Sequence, residues 1–161
     1  AETLAAFNMD AIYFGGPSRD VTVVNNGASE LEDYLADAAK AQGRVLKAEP
    51  TPEKGYFFRS DHFNFAKMGV PALYIKTGVD DREHGIAWRE KYYADFTAQK
   101  YHKVGDEYSP DADLRAGVED LALLYAVGAK LAGEKTFPNW KPDSEFRAAR
   151  DRSRAAATTP P

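Results

Sequence analysis

A three-layer α/β sandwich with a largely parallel sheet is predicted by two features of the chain. Runs rich in β-branched and aromatic residues alternate with amphipathic helical patterns, and most runs are closed by a Gly, Pro or Asn signal. Strands separated by helices favour parallel pairing, because a crossover helix returns the chain to the same sheet edge. At 161 residues, 43% of them hydrophobic, the chain suits one packed core, so residues 1–161 are read as a single domain.

The elements follow in order. Residues Ala5 to Phe14 mix aromatic and aliphatic side chains and end at Gly15-Gly16-Pro17, which reads as a buried strand and its turn. Asp20 to Val24 is a β-branched second strand closed by Asn25-Asn26-Gly27. Ser29-Glu30-Leu31-Glu32 is a capping box, in which Ser29 and Glu32 satisfy each other's backbone amides at a helix start. That helix runs to about Gln42, with Leu31, Tyr34, Leu35 and Ala38 on its apolar face and Gly43 as its stop. Arg44 to Ala48 is a short strand before the Pro50-Thr51-Pro52 loop. Ser60 and Asp61 are candidate caps for a helix ending at Met68-Gly69, and Pro71 to Ile75 is a further strand. Thr77 to Tyr108 is polar, aromatic and aperiodic, and reads as a long functional loop in which Asp80 to Lys91 is a lid, a dimer contact or, as the preferred reading, surface. Leu114 to Leu131 is an amphipathic helix opened by Asp111 and Asp113 and ended by Gly133. Phe137 to Pro142 is an extended strap, and Ser144 to Arg154 a short charged helix.

Composition narrows the function. A net charge of −4 with interspersed basic residues offers no cationic surface for phosphates, so nucleic acid is excluded as an expected partner. No apolar run is long enough to span a bilayer, so no membrane partner is expected either. With no cysteine, disulfides and thiolate ligands are excluded, and any metal must be held by His, Asp or Glu.

Three histidines are present. His62 sits in Ser60-Asp61-His62 at a helix start, on the side of the sheet where α/β folds place their sites. His102 lies in the long loop, in Tyr101-His102-Lys103-Val104-Gly105-Asp106-Glu107, and His84 lies in a charge run that reads as solvated. Asp10 interrupts an apolar strand, where a carboxylate is costly unless it is paired, capping a loop or bound to a metal.

Taken together, Asn8-Met9-Asp10, Phe58-Arg59-Ser60-Asp61-His62-Phe63, Phe65-Ala66-Lys67-Met68-Gly69-Val70-Pro71-Ala72, Tyr101-His102 and Asp106-Glu107-Tyr108 resemble one family in order and spacing. It is the di-zinc aminopeptidase and glutamate carboxypeptidase family, which also includes glutaminyl cyclases. The resemblance covers roughly residues 7 to 150. It implies that Asp10 binds one zinc and His102 the other, and that Tyr101 donates a hydrogen bond to the scissile carbonyl as it becomes an oxyanion. It implies that Arg59, Ser60, Asp61 and His62 line the substrate pocket. Asp106 either orients His102 or caps the next helix. The implied activity is removal of N-terminal residues from peptides by a metal-activated water. The implied compartment is periplasmic or extracellular.

The family also requires an upstream His, a bridging Asp and a Glu-Glu pair, of which the first Glu is the general base. None has a counterpart here, because only seven residues precede Asn8 and the Asp80-Asp81 pair lies on the wrong side of it. The chain is therefore expected to be the C-terminal part of a zinc exopeptidase domain, binding zinc weakly and inactive alone. A half-sheet of this kind is expected to self-associate or exchange domains. Two other readings stay open: a non-catalytic binding domain on the same fold, and a glutaminyl cyclase or carboxypeptidase specificity.

Overall fold

The computed structural model describes residues 3–9, 15–24 and 27–158. Four strands, β1 (Ala6–Asn8), β2 (Asp20–Val23), β3 (Val45–Ala48) and β4 (Ala72–Thr77), form a sheet in the order β1-β4-β2-β3. β1 pairs with β4 and β2 with β3 in parallel, while β2 and β4 are antiparallel, so the sheet is mostly parallel and mixed. Of the strand expected over residues 5–14, Ala6–Asn8 is observed, and residues 10–14 lie outside the described residues.

β4 shows why the fold has three layers. Side chains alternate across a strand, and every position of β4 except half-buried Lys76 is buried. Leu73 and Ile75 face a first core with Val21 and Val23 of β2, Leu31, Leu35 and Ala39 of α1 (Leu31–Ala41), and Leu123, Leu124, Val127 and Leu131 of α5 (Arg115–Ala132). Ala72 and Tyr74 face a second core with Phe57 of α2 (Tyr56–Arg59), Ala66 of α3 (His62–Lys67), Trp140 and Phe146.

The capping box closes by one of its two expected bonds, since the Glu32 amide bonds the Ser29 carbonyl rather than its hydroxyl. Glu32 accepts the amides of Gly27 (2.9 Å) and Ser29 (3.3 Å), and the Ser29 hydroxyl accepts the Leu31 amide at 3.2 Å. Burial raises the Glu32 carboxyl pKa, and these amides and Lys141 partly offset the rise. At α3 the expectation differs: Asp61 occupies the cap position without a side-chain hydrogen bond, and the Ser60 hydroxyl donates instead to the Tyr56 carbonyl at 3.2 Å. Asp113 opens α5, its carboxylate accepting the Arg115 amide at 3.0 Å.

The segment from Thr77 to Tyr108 corrects the reading as a structureless loop, because Ile86–Gln99 is a 14-residue helix, α4. No amphipathic stripe announces it, since Arg89 is its one buried residue among those described. Nor is Asp80 to Lys91 all surface. Asp81 and Arg89 are fully buried and paired with each other, and Arg89 also donates to the Gly16 carbonyl. His84 is exposed, as expected, but it has partners: its Nδ1 lies 3.2 Å from Asp81, and its ring stacks on Trp88, which stacks in turn on Tyr92.

The strap after α5 packs rather than trails. Trp140 is fully buried and donates from Nε1 to the Gly69 carbonyl at 3.0 Å. Gly69, at φ 83°, ends α3, and a side chain there would run into the Ala149 and Arg150 backbone, so glycine is needed for both conformation and close approach. The charged helix α6 (Arg147–Thr158) follows. Its Arg150 donates to the carbonyls of Thr3 and Leu4, both at 3.1 Å, and so holds the lead-in to β1.

Candidate active site

The C-terminal ends of β1 and β4 lie side by side, because the two strands are parallel with Asn8 opposite Tyr74. Crevices outside the carboxyl ends of parallel strands are where α/β sheets bind ligands. A charged network braces this edge. Asp120 of α5 accepts the Thr77 hydroxyl at 2.5 Å and the Arg44 guanidinium at 2.7 Å, and Arg44 also reaches the Ser18 hydroxyl and the Asp20 carbonyl, both at 3.0 Å. Asp10, the expected ligand to one metal, lies outside the described residues.

From β4 the chain passes through a turn anchored on buried Asp81 into α4, which delivers Tyr101 and His102. Asp81 organises that turn, one oxygen accepting the amides of Glu83 (2.9 Å) and His84 (2.8 Å) while the other meets Arg89. Burial alone would raise the Asp81 carboxyl pKa, but those amides, Arg89 and His84 outweigh it and hold the carboxyl below the usual range. Gly15 donates to the Asp113 carbonyl at 2.6 Å, so residues 15–16 are tied both to α4 and to the turn before α5.

Tyr101 and His102 sit where α4 ends. The Tyr101 amide bonds the Phe96 carbonyl at 2.9 Å, and its ring lies 4.1 Å from that of His102. Both side chains are exposed. His102 has φ 57°, the single non-glycine residue with positive φ among those described. Such conformations persist where surrounding structure imposes them, and they cluster at functional sites. Among the described residues Asp106 makes no side-chain hydrogen bond to His102, and the helix cap expected of it is supplied by Asp113.

No group of three His, Asp or Glu side chains able to hold a metal converges among the described residues. The described residues alone therefore do not make up a complete zinc site, and Asp10 lies outside them.

Arg59, Ser60, Asp61 and His62 lie on the second face of the sheet. His62 is buried against Phe57 (4.7 Å) and Tyr74 (5.2 Å), inside the aromatic core. Arg59 and Asp61 are exposed, with the Arg59 guanidinium 5.1 Å from the Tyr56 ring centre.

Tyr56 also borders a cleft of about 470 Å³ that sequence reasoning missed. Thr22 and Lys76 form its floor on the sheet, Glu49 lies beside them, and Tyr93 and Phe96 of α4 cover it. The signal was present only as Glu49 at a strand end before Pro50, an ordinary place for a carboxylate. The Glu49 carboxylate is 6% exposed, and its Oε1 makes no hydrogen bond. Burial pushes its carboxyl pKa up, with Lys76 drawing it partly back and Glu53 adding to the rise. A carboxyl whose folded pKa is raised contributes stability below its unfolded value, and that stability is lost as pH rises through the folded value. Glu49→Gln is therefore expected to stabilise the protein at pH 7 by about 1 kcal/mol, with no gain at pH 4, read from urea unfolding at the two pH values.

The model of one known family, peptidase family M28, matches residues 1–126. No curated protein and no solved structure gives a match.

Proposed function

The chain belongs to peptidase family M28, a family of metallopeptidase hydrolases acting on peptides, and from that premise we propose that it is the C-terminal part of a di-zinc aminopeptidase domain. The observation that carries the reading is the pair Tyr101-His102, adjacent, exposed and set by a left-handed backbone beyond the helix that leaves β4. In this reading His102 is a ligand to one zinc and Asp10 to the other. The remaining ligands and the general-base glutamate come from residues outside this chain. Tyr101 donates from its hydroxyl to the carbonyl oxygen of the scissile bond as charge develops there, an interaction stronger in the transition state than in the ground state. Arg59, Ser60 and Asp61 shape the substrate side of the site, and His62 supports it from the aromatic core.

Two surfaces support a missing neighbour. β1 is an edge of the described sheet, and α5 with its N-cap Leu114 exposes Leu114, Val118, Leu121 and Tyr125 at helical spacing. In the protein extended upstream these would be covered; in the isolated chain they would drive self-association.

The test is zinc content and hydrolysis of aminoacyl-p-nitroanilides by this chain beside a version extended upstream into its gene. The extended protein is expected to hold two zinc ions and turn over, and the short chain to do neither. Asp10→Ala and His102→Ala are each expected to lower kcat/KM by more than about a hundredfold, since even residues that only orient metal ligands are worth ~10–100-fold. Tyr101→Phe is expected to lower kcat by about 10² to 10³ with KM little changed. An extended protein that folds but holds no metal would instead establish a non-catalytic binding domain on the same fold.

A further inference from the structure

Helix α4 is anchored at one end. Its first turn carries Arg89, the one buried residue of the helix among those described, which is held by the Asp81 carboxylate and the Gly16 carbonyl. One turn on, the Tyr93 hydroxyl meets the Thr77 carbonyl at 3.5 Å, the outer limit of a hydrogen bond. From there the helix stands off the body. The cleft of about 470 Å³ separates its last turns from residues 50–56, and Ala94, Thr97 and Ala98 are exposed on the helix side of it. Protein interiors are close-packed, so an open gap between Phe96 and Ala98 on one wall and Pro50 and Tyr56 on the other marks two elements that are not packed on each other. The lead-in to the helix is Gly85, at φ 78° and ψ −177°, with open space where a side chain would stand. Beyond the helix, residues 103–111 are all exposed. Tyr101 and His102 belong to the helix end: the Lys100 and Tyr101 amides bond the Phe96 carbonyl at 2.8 and 2.9 Å, the Lys103 amide bonds the Lys100 carbonyl at 2.8 Å, and the Lys103 ammonium bonds the Ala98 carbonyl.

We propose that α4 is a hinged lid, which pivots on the Asp81–Arg89 pair and closes as a rigid unit on the cleft, carrying Tyr101 and His102 on its free end. Hinges are a few residues at element ends that absorb the backbone change, and Gly85 and the exposed residues 103–111 stand at the two ends of α4. From Arg89 to Gln99 the lever is about 15 Å long, so a rotation of about 15° moves its tip by about 4 Å. Closure brings Phe96 and Ala98 against Pro50 and Tyr56, and removing that apolar surface from water favours it. The buried ion pair lies at the pivot and stays intact. The inference does not rest on the peptidase reading. Under that reading, the position of the lid sets where Tyr101 and His102 stand.

The chain has no cysteine, so spin labels attach only where cysteines are introduced. The test measures label distances by double electron–electron resonance, in EDTA so that no metal holds His102. One pair, Glu53→Cys with Gln99→Cys, spans the cleft at the lid tip, and the other, Glu53→Cys with Glu90→Cys, ends beside the pivot; all three positions are exposed. The 53–99 pair is expected to show two populations about 4 Å apart, and the 53–90 pair a single narrow one. Ala98→Trp puts bulk into the cleft without touching the pivot, and should remove the shorter 53–99 population; Ala94→Trp should do the same. Thermal melts report the folding of each protein, and if a tryptophan variant fails to fold, the two label pairs on the unaltered cleft decide the question. A single narrow 53–99 distance overturns the proposal. So does an equal spread in both pairs, which would mean motion without a pivot, or a 53–99 spread that neither tryptophan alters, which would mean fraying of the helix end. Nitroanilide hydrolysis is a separate readout, so loss of either reading leaves the other standing.

Discussion

Replacing Arg89 with methionine is expected to destabilise the protein by about 3–5 kcal/mol, read from urea unfolding, because it leaves the fully buried Asp81 carboxylate without its cation. The effect should not stay local. Arg89 is the one buried side chain of α4 among the described residues, so the helix that delivers Tyr101 and His102 loses its main anchor. The Gly16 carbonyl loses its donor in the same step. Amide hydrogen exchange is therefore expected to rise across residues 86–102 more than in α1 or α5, whose apolar faces lie in the first core. Arg89→Met combined with Asp81→Asn should recover part of the lost stability, since the uncompensated charge is then gone. The pH dependence follows from the sign of the Asp81 shift. Its folded-state pKa is lowered, so its stabilisation is present above the unfolded value of about 3.9 and is lost as pH falls through the folded value. The unaltered protein should therefore lose stability on acidification below about pH 4, and Arg89→Met should lose less over the same interval.

Trp140→Ala is expected to cost about 3–5 kcal/mol, and ending the chain before the strap to abolish cooperative unfolding. The family match stops at residue 126, yet the second core is completed by Trp140 and Phe146, whose rings lie 4.9 Å apart. The strap also pairs with the start of α1, through Glu30 N to Asn139 O at 2.9 Å and Lys141 N to Ala28 O at 2.8 Å. Without it Ala72, Tyr74 and Phe57 face water, and the Gly69 carbonyl loses the indole donor. Trp140→Phe separates the two contributions, keeping most of the ring packing while removing the hydrogen bond. It should cost about 1–2 kcal/mol, and a thermal melt monitored by circular dichroism orders the three variants.

What could be read before the structure is what local chemistry controls. The α1 helix was legible because its signals are short-range: a capping box at Ser29 and Glu32, an apolar face with Leu31 and Leu35, and a glycine stop. The strands β2, β3 and β4 were legible from β-branched runs between turn residues, and α5 from its apolar periodicity. Tyr101 and His102 were singled out by motif order alone, and their roles in the site are proposals. Asp10 lies outside the described residues, so its part in the site stays a proposal.

The sequence by itself determined the alternation of strands and helices, the membership in a metallopeptidase family, and the residue types offered to a metal, because each depends on spacing of a few residues or on an ordered set of motifs. Only the tertiary structure decided the rest. The antiparallel pairing of β2 with β4 depends on which strand edges meet, and no local pattern records that. The α4 helix is held by an ion pair to Asp81 rather than by an apolar stripe, so periodicity could not reveal it. The cleft around Glu49 and Lys76 joins residues from β2, β3's end, α2, β4 and α4, and such convergence exists only once the chain has folded.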